Sequence, residues 1–487
     1  MCSRHFPASY NSFLRLVAIT FETVVVCAVH ATLPAIPRGC AVLNTGNKAI
    51  NQSGILTNPN VDIISIAADW NSVQPSEYDP PVWGSIDSDL AAIANAGKSA
   101  VLRINTMGGA YSIGGKTPDW VYSAMGADPH TLIAQPGVTY SFLDGGDNVT
   151  RCIPVFWDKN YLAKKRAMIA AAGAHLASNT TLKVVVVSYA NAITEDWYVP
   201  HDGAEIDLWT NQPPDGAGYT TDQMINAAIH VADATFSDGK VKGLKLTSNF
   251  ANFTQADIGH SITGFGYGQK NVIMKWLGPT QVVLKNPLRG GNGSTFTIVG
   301  RRDGLIDVAM AAFPNQYIAT AVNGNGPDLD AGYGDDAGTV LAETVNAKVQ
   351  AVSSYAGRYI VQRNNVTAIV PKKEDASDAW VILADAADAK MPIAGQALGV
   401  AADNEAYRMN DKTNCDWDRP ECEPAENKTC DENDCGLSFE QILNRSADRL
   451  YTYSPSYYEI YPTDASKLHD SVCYIHYEFL GLGQCPP

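Results

Sequence analysis

The chain has 487 residues, of which 45% are hydrophobic and 18% are charged, and its formal net charge is −16. This composition excludes a disordered or collagen-like protein, and the length suffices for one large globular domain. The negative charge argues against a nucleic-acid partner, because no excess of Lys and Arg is available to neutralise phosphates.

Residues 1–31 have the pattern of a secretory signal peptide. Basic residues precede an apolar stretch over residues 16–29, and the small-residue pattern Val29-His30-Ala31 predicts cleavage after Ala31. A signal anchor is the alternative interpretation, because Glu22 interrupts the apolar stretch. No other stretch reaches the roughly 18–20 apolar residues of a membrane-spanning helix, so we expect no membrane association after cleavage.

From residue 32 to residue 487 we expect a single domain in which strands alternate with helices. Apolar, β-branched runs predict the first four strands at Gly39–Asn44, Val61–Trp70, Ser99–Ile104 and Lys183–Ser188. Apolar residues at helical spacing predict helices over 86–96, 159–176 and 221–235. Such alternation is typical of a parallel sheet wrapped by helices.

The second half of the chain continues the same alternation. Four more strands are predicted at Tyr317–Val322, Tyr359–Arg363, Pro392–Gln396 and Tyr458–Tyr461, with helices over 340–353, 376–389 and 438–451. Eight strands with helical connections predict an α/β fold of the (β/α)8 TIM-barrel type. Two stretches interrupt the pattern: a β-rich insertion over about 241–302, and a disulfide-rich acidic loop over 414–436 near the C-terminus.

Two further features favour a secreted, N-glycosylated and eukaryotic protein. Eight Asn-X-Ser/Thr sequons are present, at Asn51, Asn148, Asn179, Asn252, Asn292, Asn365, Asn427 and Asn444. Eight cysteines remain after the signal segment, at Cys40, Cys152, Cys415, Cys422, Cys430, Cys435, Cys473 and Cys485. In an oxidising compartment an even set of this kind predicts disulfides, although the sequence leaves their pairing open.

Several motifs resemble those of retaining glycoside hydrolases with (β/α)8 barrels, of the cellulase and β-galactosidase type. They are Asp-Trp-Asn-Ser-Val-Gln-Pro over 69–75, Val-Leu-Arg-Ile-Asn over 101–105, Thr-Pro-Asp-Trp over 117–120 and Ile-Pro-Val-Phe-Trp-Asp over 153–158. The similarity extends over roughly residues 36–470, and each motif alone is only moderately specific. It implies a general acid/base glutamate after the fourth strand and a nucleophilic glutamate at the end of the seventh.

Glu195 matches the position of the general acid/base. It follows the fourth strand, on the side of the barrel where such enzymes have their active sites. Many members of the family have Asn directly before this Glu, whereas here Asn191 lies four residues earlier, so Asp196 is a neighbouring candidate.

The seventh strand departs from the family pattern. Gln396 stands where the nucleophile is expected, and an amide cannot act as a carboxylate nucleophile or base. Glu459 on the eighth strand is therefore the candidate catalytic partner of Glu195, and Glu405 is a further alternative. Glu459 has a structural interpretation too, in which it pairs with an Arg.

Flat aromatic rings, amides and charged groups near the strand ends are candidates for sugar binding. The predicted substrate-binding residues are Asp69, Trp70, Arg103, Asn191, Trp197 and Gln396. Three of them have structural alternatives: Asp69 as a turn cap, Trp70 as a core residue and Arg103 as a buried ion-pair partner.

We expect no metal and no cofactor. The acidic cysteine loop lacks the spacing of an EF-hand or of a zinc site, and no phosphate-binding loop is present. The first functional hypothesis is a secreted glycoside hydrolase acting on a β-linked oligo- or polysaccharide. The alternatives are a non-catalytic carbohydrate-binding barrel, in which Gln396 marks a lost nucleophile, and an extracellular interaction protein that uses the insertion and the cysteine loop. The sequence does not indicate the oligomeric state.

Overall fold

The structure is a computed structural model. It describes residues 35–44, 50, 54–106, 116–128, 135, 137–144, 149–187, 207, 210–220, 234–253, 257–258, 260–265, 267–287, 293–298, 304–322, 346, 349, 355, 357–363, 383, 386–397 and 439–486. None of the helices in this part of the chain combines the length and the apolar character that crossing a membrane requires.

Sixteen strands and eight helices are assigned among these residues. The strands are β1 (Gly39–Asn44), β2 (Ile63–Asp69), β3 (Ser99–Asn105), β4 (Thr139–Asp144), β5 (Val149–Pro154), β6 (Leu182–Val186), β7 (Ala234–Lys242), β8 (Lys245–Thr247), β9 (Ser261–Gly264), β10 (Tyr267–Gly278), β11 (Gln281–Leu284), β12 (Ser294–Ile298), β13 (Tyr317–Val322), β14 (Tyr359–Arg363), β15 (Ile393–Gln396) and β16 (Tyr457–Ile460). The helices are α1 (Trp70–Val73), α2 (Gly84–Asn95), α3 (Asp119–Met125), α4 (Lys159–Leu176), α5 (Leu305–Ala312), α6 (Phe439–Tyr451), α7 (Pro462–Lys467) and α8 (His469–Leu480).

Eight of the strands close into a parallel barrel in the order β1-β2-β3-β6-β13-β14-β15-β16, with β16 pairing back to β1. Every neighbouring pair in this barrel is parallel. All eight predicted strands are present and in the predicted order, so the expected (β/α)8 architecture is confirmed. A barrel of this kind places the carboxyl ends of all its strands at one end, which we call the mouth.

The barrel strands are buried on both faces, which explains their apolar, β-branched sequences. Residues that alternate along the strands form an interior cluster, which includes Ile63, Val101 and Val184. The intervening residues pack outward against the helices in a larger cluster, with Ile64 and Leu102 among its members. Register is therefore fixed, because a slip of one residue would exchange the two faces.

The insertion forms a second, antiparallel barrel of six strands in the order β10-β11-β8-β7-β12-β9. It has its own core, in which Leu246, Ile273 and Phe296 are fully buried. The predicted start at residue 241 is wrong, because β7 begins at Ala234. The same strand takes the last two residues of the helix predicted over 221–235, and residues 221–233 lie outside the described part.

The cysteines do not all behave as predicted. Cys473 and Cys485 form a disulfide between α8 and the following segment. Cys40 and Cys152 are free, so the expectation that both are disulfide-bonded is wrong. Cys40 is fully buried at the start of β1, where burial raises the pKa of its thiol and so disfavours the reactive thiolate. The cysteine loop over 414–436 lies outside the described residues.

Candidate active site

The interior of the parallel barrel is polar close to its mouth. Side chains alternate between the two faces of a strand, so residues two apart point the same way. Ile63 on β2 and Val101 on β3 are apolar interior residues, and the next interior residues toward the mouth are Ser65 and Arg103. On β14, β15 and β16 the corresponding interior residues are Gln362, Gln396 and Glu459.

Glu459 is the centre of a fully buried hydrogen-bond network. The Arg103 guanidinium donates from Nη1 to Oε1 at 2.9 Å and from Nη2 to Oε2 at 2.8 Å. Ser65 Oγ also donates to Oε1, and the Nε2 atoms of Gln362 and Gln396 donate to Oε2 at 3.2 and 2.5 Å. The bidentate ion pair and the three additional donors satisfy both carboxylate oxygens, as a charge in a low-dielectric interior requires.

Tyr457 orients one of these amides and adds bulk below the network. Its hydroxyl donates to Gln362 Oε1 at 2.9 Å, which leaves the amide nitrogen directed at Glu459. Burial and then the charge of Glu459 raise the pKa of the Tyr457 hydroxyl, so it remains a neutral donor. Small interior residues on β1, β13 and β15 leave space for the larger side chains: Ala41, Ala319, Ala321 and Ala394.

This geometry corrects three predictions. Glu459 is 0% exposed and its oxygens are occupied, which contradicts its assignment as a catalytic carboxylate and confirms pairing with an Arg. Arg103 is 1% exposed and is confirmed as a buried ion-pair partner, so its predicted contact with substrate is wrong. Gln396 is also 0% exposed and donates to Glu459, so it too does not contact substrate in this conformation. Gln396 is directly opposite Glu459 in the strand register, which explains the contact.

A second polar group lies at the very ends of β2 and β3. Asp69 and Asn105 are the last residues of these strands and are opposite each other in the register. Asn105 Nδ2 donates to Asp69 Oδ1 at 3.0 Å, and Lys116 Nζ lies 3.8 Å from the same oxygen. The Asp69 side chain is 23% exposed, so among these carboxylates it is Asp69, and not Glu459, that a ligand at the mouth can reach.

The position of Asp69 argues against the turn-cap alternative. Asp69 occupies the N-cap position of α1, yet its side chain makes no capping hydrogen bond to the helix. It turns instead to Asn105, whose other amide atom, Oδ1, is buried and accepts no hydrogen bond among the described residues. A part-exposed carboxylate that is held in place by a buried amide is suited to accept hydrogen bonds from the hydroxyl groups of a sugar.

The segment that supplies Lys116 is anchored from two sides. The backbone N–H of Asn71 donates to the Lys116 carbonyl at 3.0 Å, and Thr117 Oγ1 donates to the Thr106 carbonyl at 2.6 Å. Lys165 of α4 is fully buried and donates from Nζ to Thr106 Oγ1 at 2.5 Å. The predicted site residues did not include Asn105, Lys116 or Lys165. Inward alternation along β3 could have found Asn105, whereas the other two depend on tertiary packing.

Trp70 is not a sugar-stacking platform. Its side chain is 0% exposed in the outer core, where its ring meets Trp120 edge-on at 5.8 Å and Tyr161 at 6.1 Å. Both faces of the ring are therefore covered by protein, and the core alternative is confirmed. The predicted contact with substrate is wrong for this residue.

The remaining predicted residues follow β6. Glu195, Asn191 and Trp197 lie outside the described residues, as do the alternatives Asp196 and Glu405. The chain leaves β6 at Val186, and because β6 is parallel to β2 and β3, it leaves at the mouth. In the part of the chain that the structure describes, no group of three or more His, Cys, Asp or Glu residues could hold a metal ion.

No family model and no curated protein matches the sequence. Solved structures give weak matches to glycoside hydrolases. The catalytic domain of a β-amylase from Paenibacillus polymyxa has 10% identity and a TM-score of 0.43, over 88% of this chain and 92% of that one. A thermostable mutant of a xylanase from Cellvibrio japonicus has 11% identity and a TM-score of 0.36, over 89% and 88%. A β-galactosidase from the psychrophilic Marinomonas ef1 has 8% identity and a TM-score of 0.38, over 87% and 53%. The strand pairing of this chain, rather than these scores, establishes the (β/α)8 barrel.

Proposed function

We propose that the protein is a glycoside hydrolase that acts on a β-linked oligo- or polysaccharide, with Glu195 as the general acid/base. The observation that carries the proposal is the pair formed by Asp69 and Asn105 at the mouth. It presents a part-exposed carboxylate, held by the Asn105 amide, at the end of the barrel to which the fourth strand also leads. Catalytic groups of (β/α)8 enzymes lie at this end.

The proposed chemistry needs two carboxyl groups. One protonates the leaving oxygen, and the other attacks the anomeric carbon or activates water. We assign the first role to Glu195 and the second to Asp69, since Glu459 is enclosed in its own network. Asn105 orients Asp69 through its Nδ2, and Asn191 and Trp197, close to Glu195 in sequence, complete the binding site.

The buried ion pair supports this site from below. Arg103 and Asn105 are inward residues two apart on β3, and Ser65 and Asp69 are inward residues four apart on β2. A network that fixes Arg103 and Ser65 therefore also fixes the strand ends that carry the two mouth residues. Such rigidity is what a catalytic carboxylate needs, because small displacements from productive geometry cost rate.

A second candidate function is a non-catalytic carbohydrate-binding barrel. The observation that favours it is Gln396, a buried amide on the seventh strand at the place where related enzymes have a nucleophile. In this alternative Asp69, oriented by Asn105, binds a sugar that is not cleaved.

We also propose that the protein is secreted. The proposal is supported by the signal-like residues 1–31 and by the eight sequons. Expression in a eukaryotic secretory host checks it: the medium should contain a protein that begins at Thr32 and loses mass when N-glycans are removed. An intracellular product with residues 1–31 attached would contradict it.

Hydrolysis and binding can be separated in one experiment. The wild type and the Glu195→Gln variant are incubated with a panel of β-linked oligosaccharides, and both product release and affinity are measured. The glycosidase proposal predicts that the wild type cleaves at least one member, while the variant binds that member and does not cleave it. Equal affinity of both proteins for a glycan that neither cleaves would establish the binding barrel instead.

A further inference from the structure

The antiparallel barrel differs in charge from the rest of the chain. Between Ala234 and Ile298 the sequence has seven basic residues and two acidic ones, a formal charge of +5. The whole chain has a formal charge of −16, so the remainder has a charge of −21. Solubility needs a net charge but does not need one basic module within an acidic protein. Such a difference in charge between two parts of a chain is typical of an interaction surface.

The strand register places the lysines of this barrel on one face. Lys275 of β10 is opposite Val283 of β11. Val283 is in turn opposite Lys245 of β8, and Lys245 is opposite Lys242 of β7. Residues that are directly opposite share a face of the sheet, so three lysines lie in one row across four strands. Lys240 is two residues before Lys242 and therefore shares this face. We call Lys240, Lys242, Lys245 and Lys275 the lysine face.

The adjacent row shows that the lysine face points to solvent. Val282 and Leu246, each one residue from the lysine row, are 0% exposed in the core of this barrel. Side chains alternate along a strand, so the lysine row lies on the opposite side of the sheet. All four lysines are exposed.

By the same alternation Asp238, two residues before Lys240 on β7, also lies on this face in the part of the chain that is described. None of the four lysines forms an ion pair there with a carboxylate. Asp238, on β7, accepts hydrogen bonds from Ser248 Oγ and from the Asn249 N–H, both at 2.6 Å. Asp257 is 2% exposed. Like charges directly opposite in a sheet are destabilising, as for Lys242 and Lys245, so the arrangement points to an anionic partner outside the barrel.

The neighbouring side chains indicate the chemistry of that partner. Lys240 is opposite Thr247, and Thr247 is opposite Gln281, so a hydroxyl and an amide share the face with the lysines. These groups are suited to the hydroxyls of a sugar. Neither row contains an outward aromatic ring, which the binding of single-stranded nucleic acid would require for base stacking.

We propose that the lysine face binds an acidic polysaccharide, whose sugar units carry carboxylate or sulfate groups. The inference rests on the proposed glycosidase function, because it takes the anionic partner to be a glycan. The lysine row spans three strand spacings, about 14 Å, so it can contact charges on several sugar units at once. The basic residues of this face are lysines, whose ammonium groups attract anionic groups as point charges and do not impose the bidentate geometry of Arg.

The test measures binding by the full chain, in low and in high salt, by affinity electrophoresis or calorimetry. The probes are three β-linked polymers, namely polymannuronate, cellulose sulfate and neutral hydroxyethyl cellulose, and single-stranded DNA. The variant is the triple substitution Lys242→Gln/Lys245→Gln/Lys275→Gln. The control, Lys159→Gln/Lys390→Gln/Lys467→Gln, changes the net charge equally at exposed lysines outside the antiparallel barrel.

The wild type should bind an acidic glycan, and salt should weaken the binding. Three exposed charge pairs are each weak, so the triple variant should bind about tenfold less tightly, while the control keeps wild-type affinity. Binding of polymannuronate alone would identify carboxylates as the recognised groups, and binding of cellulose sulfate alone would identify sulfates. Thermal unfolding of the triple variant should be unchanged or slightly raised, because a repulsion has been removed.

Three results would overturn the inference: no binding of either acidic glycan, equal affinity of the triple variant, or DNA binding as tight as glycan binding. The two proposals can fail separately. Cleavage of neutral β-glycans without binding of acidic ones would leave the glycosidase and remove the lysine-face ligand. Lysine-dependent binding of acidic glycans without cleavage of any glycan would support the lysine-face ligand and reject the glycosidase.

Discussion

Replacing Glu459 by Gln should lower the free energy of unfolding, because Glu459 is the buried partner of Arg103 and not a group that a ligand at the mouth can reach. The substitution keeps the shape of the side chain but removes the negative charge opposite the Arg103 guanidinium, which is 1% exposed and donates to it twice. It also turns one acceptor oxygen into an amide that faces other donors, among them Gln362 and Gln396. Removing one partner of a buried ion pair typically costs about 3–5 kcal/mol of the free energy of unfolding.

Urea unfolding of the wild type, Glu459→Gln, Arg103→Met and the double variant measures this cost. The double variant should lose less than the sum of the single losses, with a coupling of about 1–3 kcal/mol. The matched control is Glu77→Gln, which breaks the ion pair of Glu77 with Lys164, where each side chain is 32% exposed. That change should cost about 1 kcal/mol or less. A Glu459→Gln variant as stable as the control, with a selective loss of kcat, would refute the structural role and restore Glu459 as a catalytic candidate.

Three further predictions follow from the structure. Asp69→Asn should lower kcat for a cleaved glycan by about 100-fold or more, with less than about 1 kcal/mol lost in urea unfolding because the side chain is part-exposed; wild-type kcat would contradict its proposed role. Gly173→Ala should destabilise the protein by about 1–3 kcal/mol, because a Cβ there would lie 2.4 Å from a backbone oxygen of α5. The control is Gly84→Ala, whose Cβ would meet no atom within 4 Å and should be tolerated. Equal urea unfolding midpoints of the two variants would contradict this packing. Burial raises the pKa of Asp62 above its ordinary 3.8, although hydrogen bonds from His476 and a backbone N–H lower it. The neutral form is thus favoured on folding, and the wild type should lose stability relative to Asp62→Asn as the pH rises above 3.8 through the raised pKa; parallel stability curves from pH-dependent urea titrations would contradict this sign.

The barrel could be predicted because its signals are local. β1 and α4 have the predicted bounds, Gly39–Asn44 and Lys159–Leu176. Asp158 directly precedes α4, and its carboxylate accepts hydrogen bonds from the N–H groups of Asn160 and Tyr161 at 2.7 and 3.0 Å. A capping residue and a run of β-branched residues both act over a few positions, so one sequence suffices to read them.

The candidate site could be predicted only in part, because its contacts join distant segments. Arg103 and Glu459 are separated by 356 positions, and only closure of the barrel brings them together. The sequence therefore showed that each was present near a strand end and left open whether Glu459 was a catalyst or a counter-ion. Trp70 follows β2 directly, and its burial is decided by the turn of α1 and by Trp120, neither of which has a local signature.

The start of the insertion was misplaced for a different reason. Residues 234–242 have few apolar side chains and include Gly239 and several polar residues, so their pattern does not stand out as a strand. Their extended conformation depends on pairing with β8 and β12. Strand propensity depends on such context more than helix propensity does.

The role of Glu195 as general acid is tested most directly by comparing the kcat of Glu195→Gln on two substrates. One is the β-linked oligosaccharide that the wild type cleaves, and the other is an aryl glycoside of the same sugar with an acidic phenol as leaving group. Only the first leaving group needs protonation, so the variant should lose about 100- to 10,000-fold on the oligosaccharide and far less on the aryl glycoside. Equal losses on both substrates, or wild-type rates on both, would contradict the assignment of Glu195 as the general acid of this barrel.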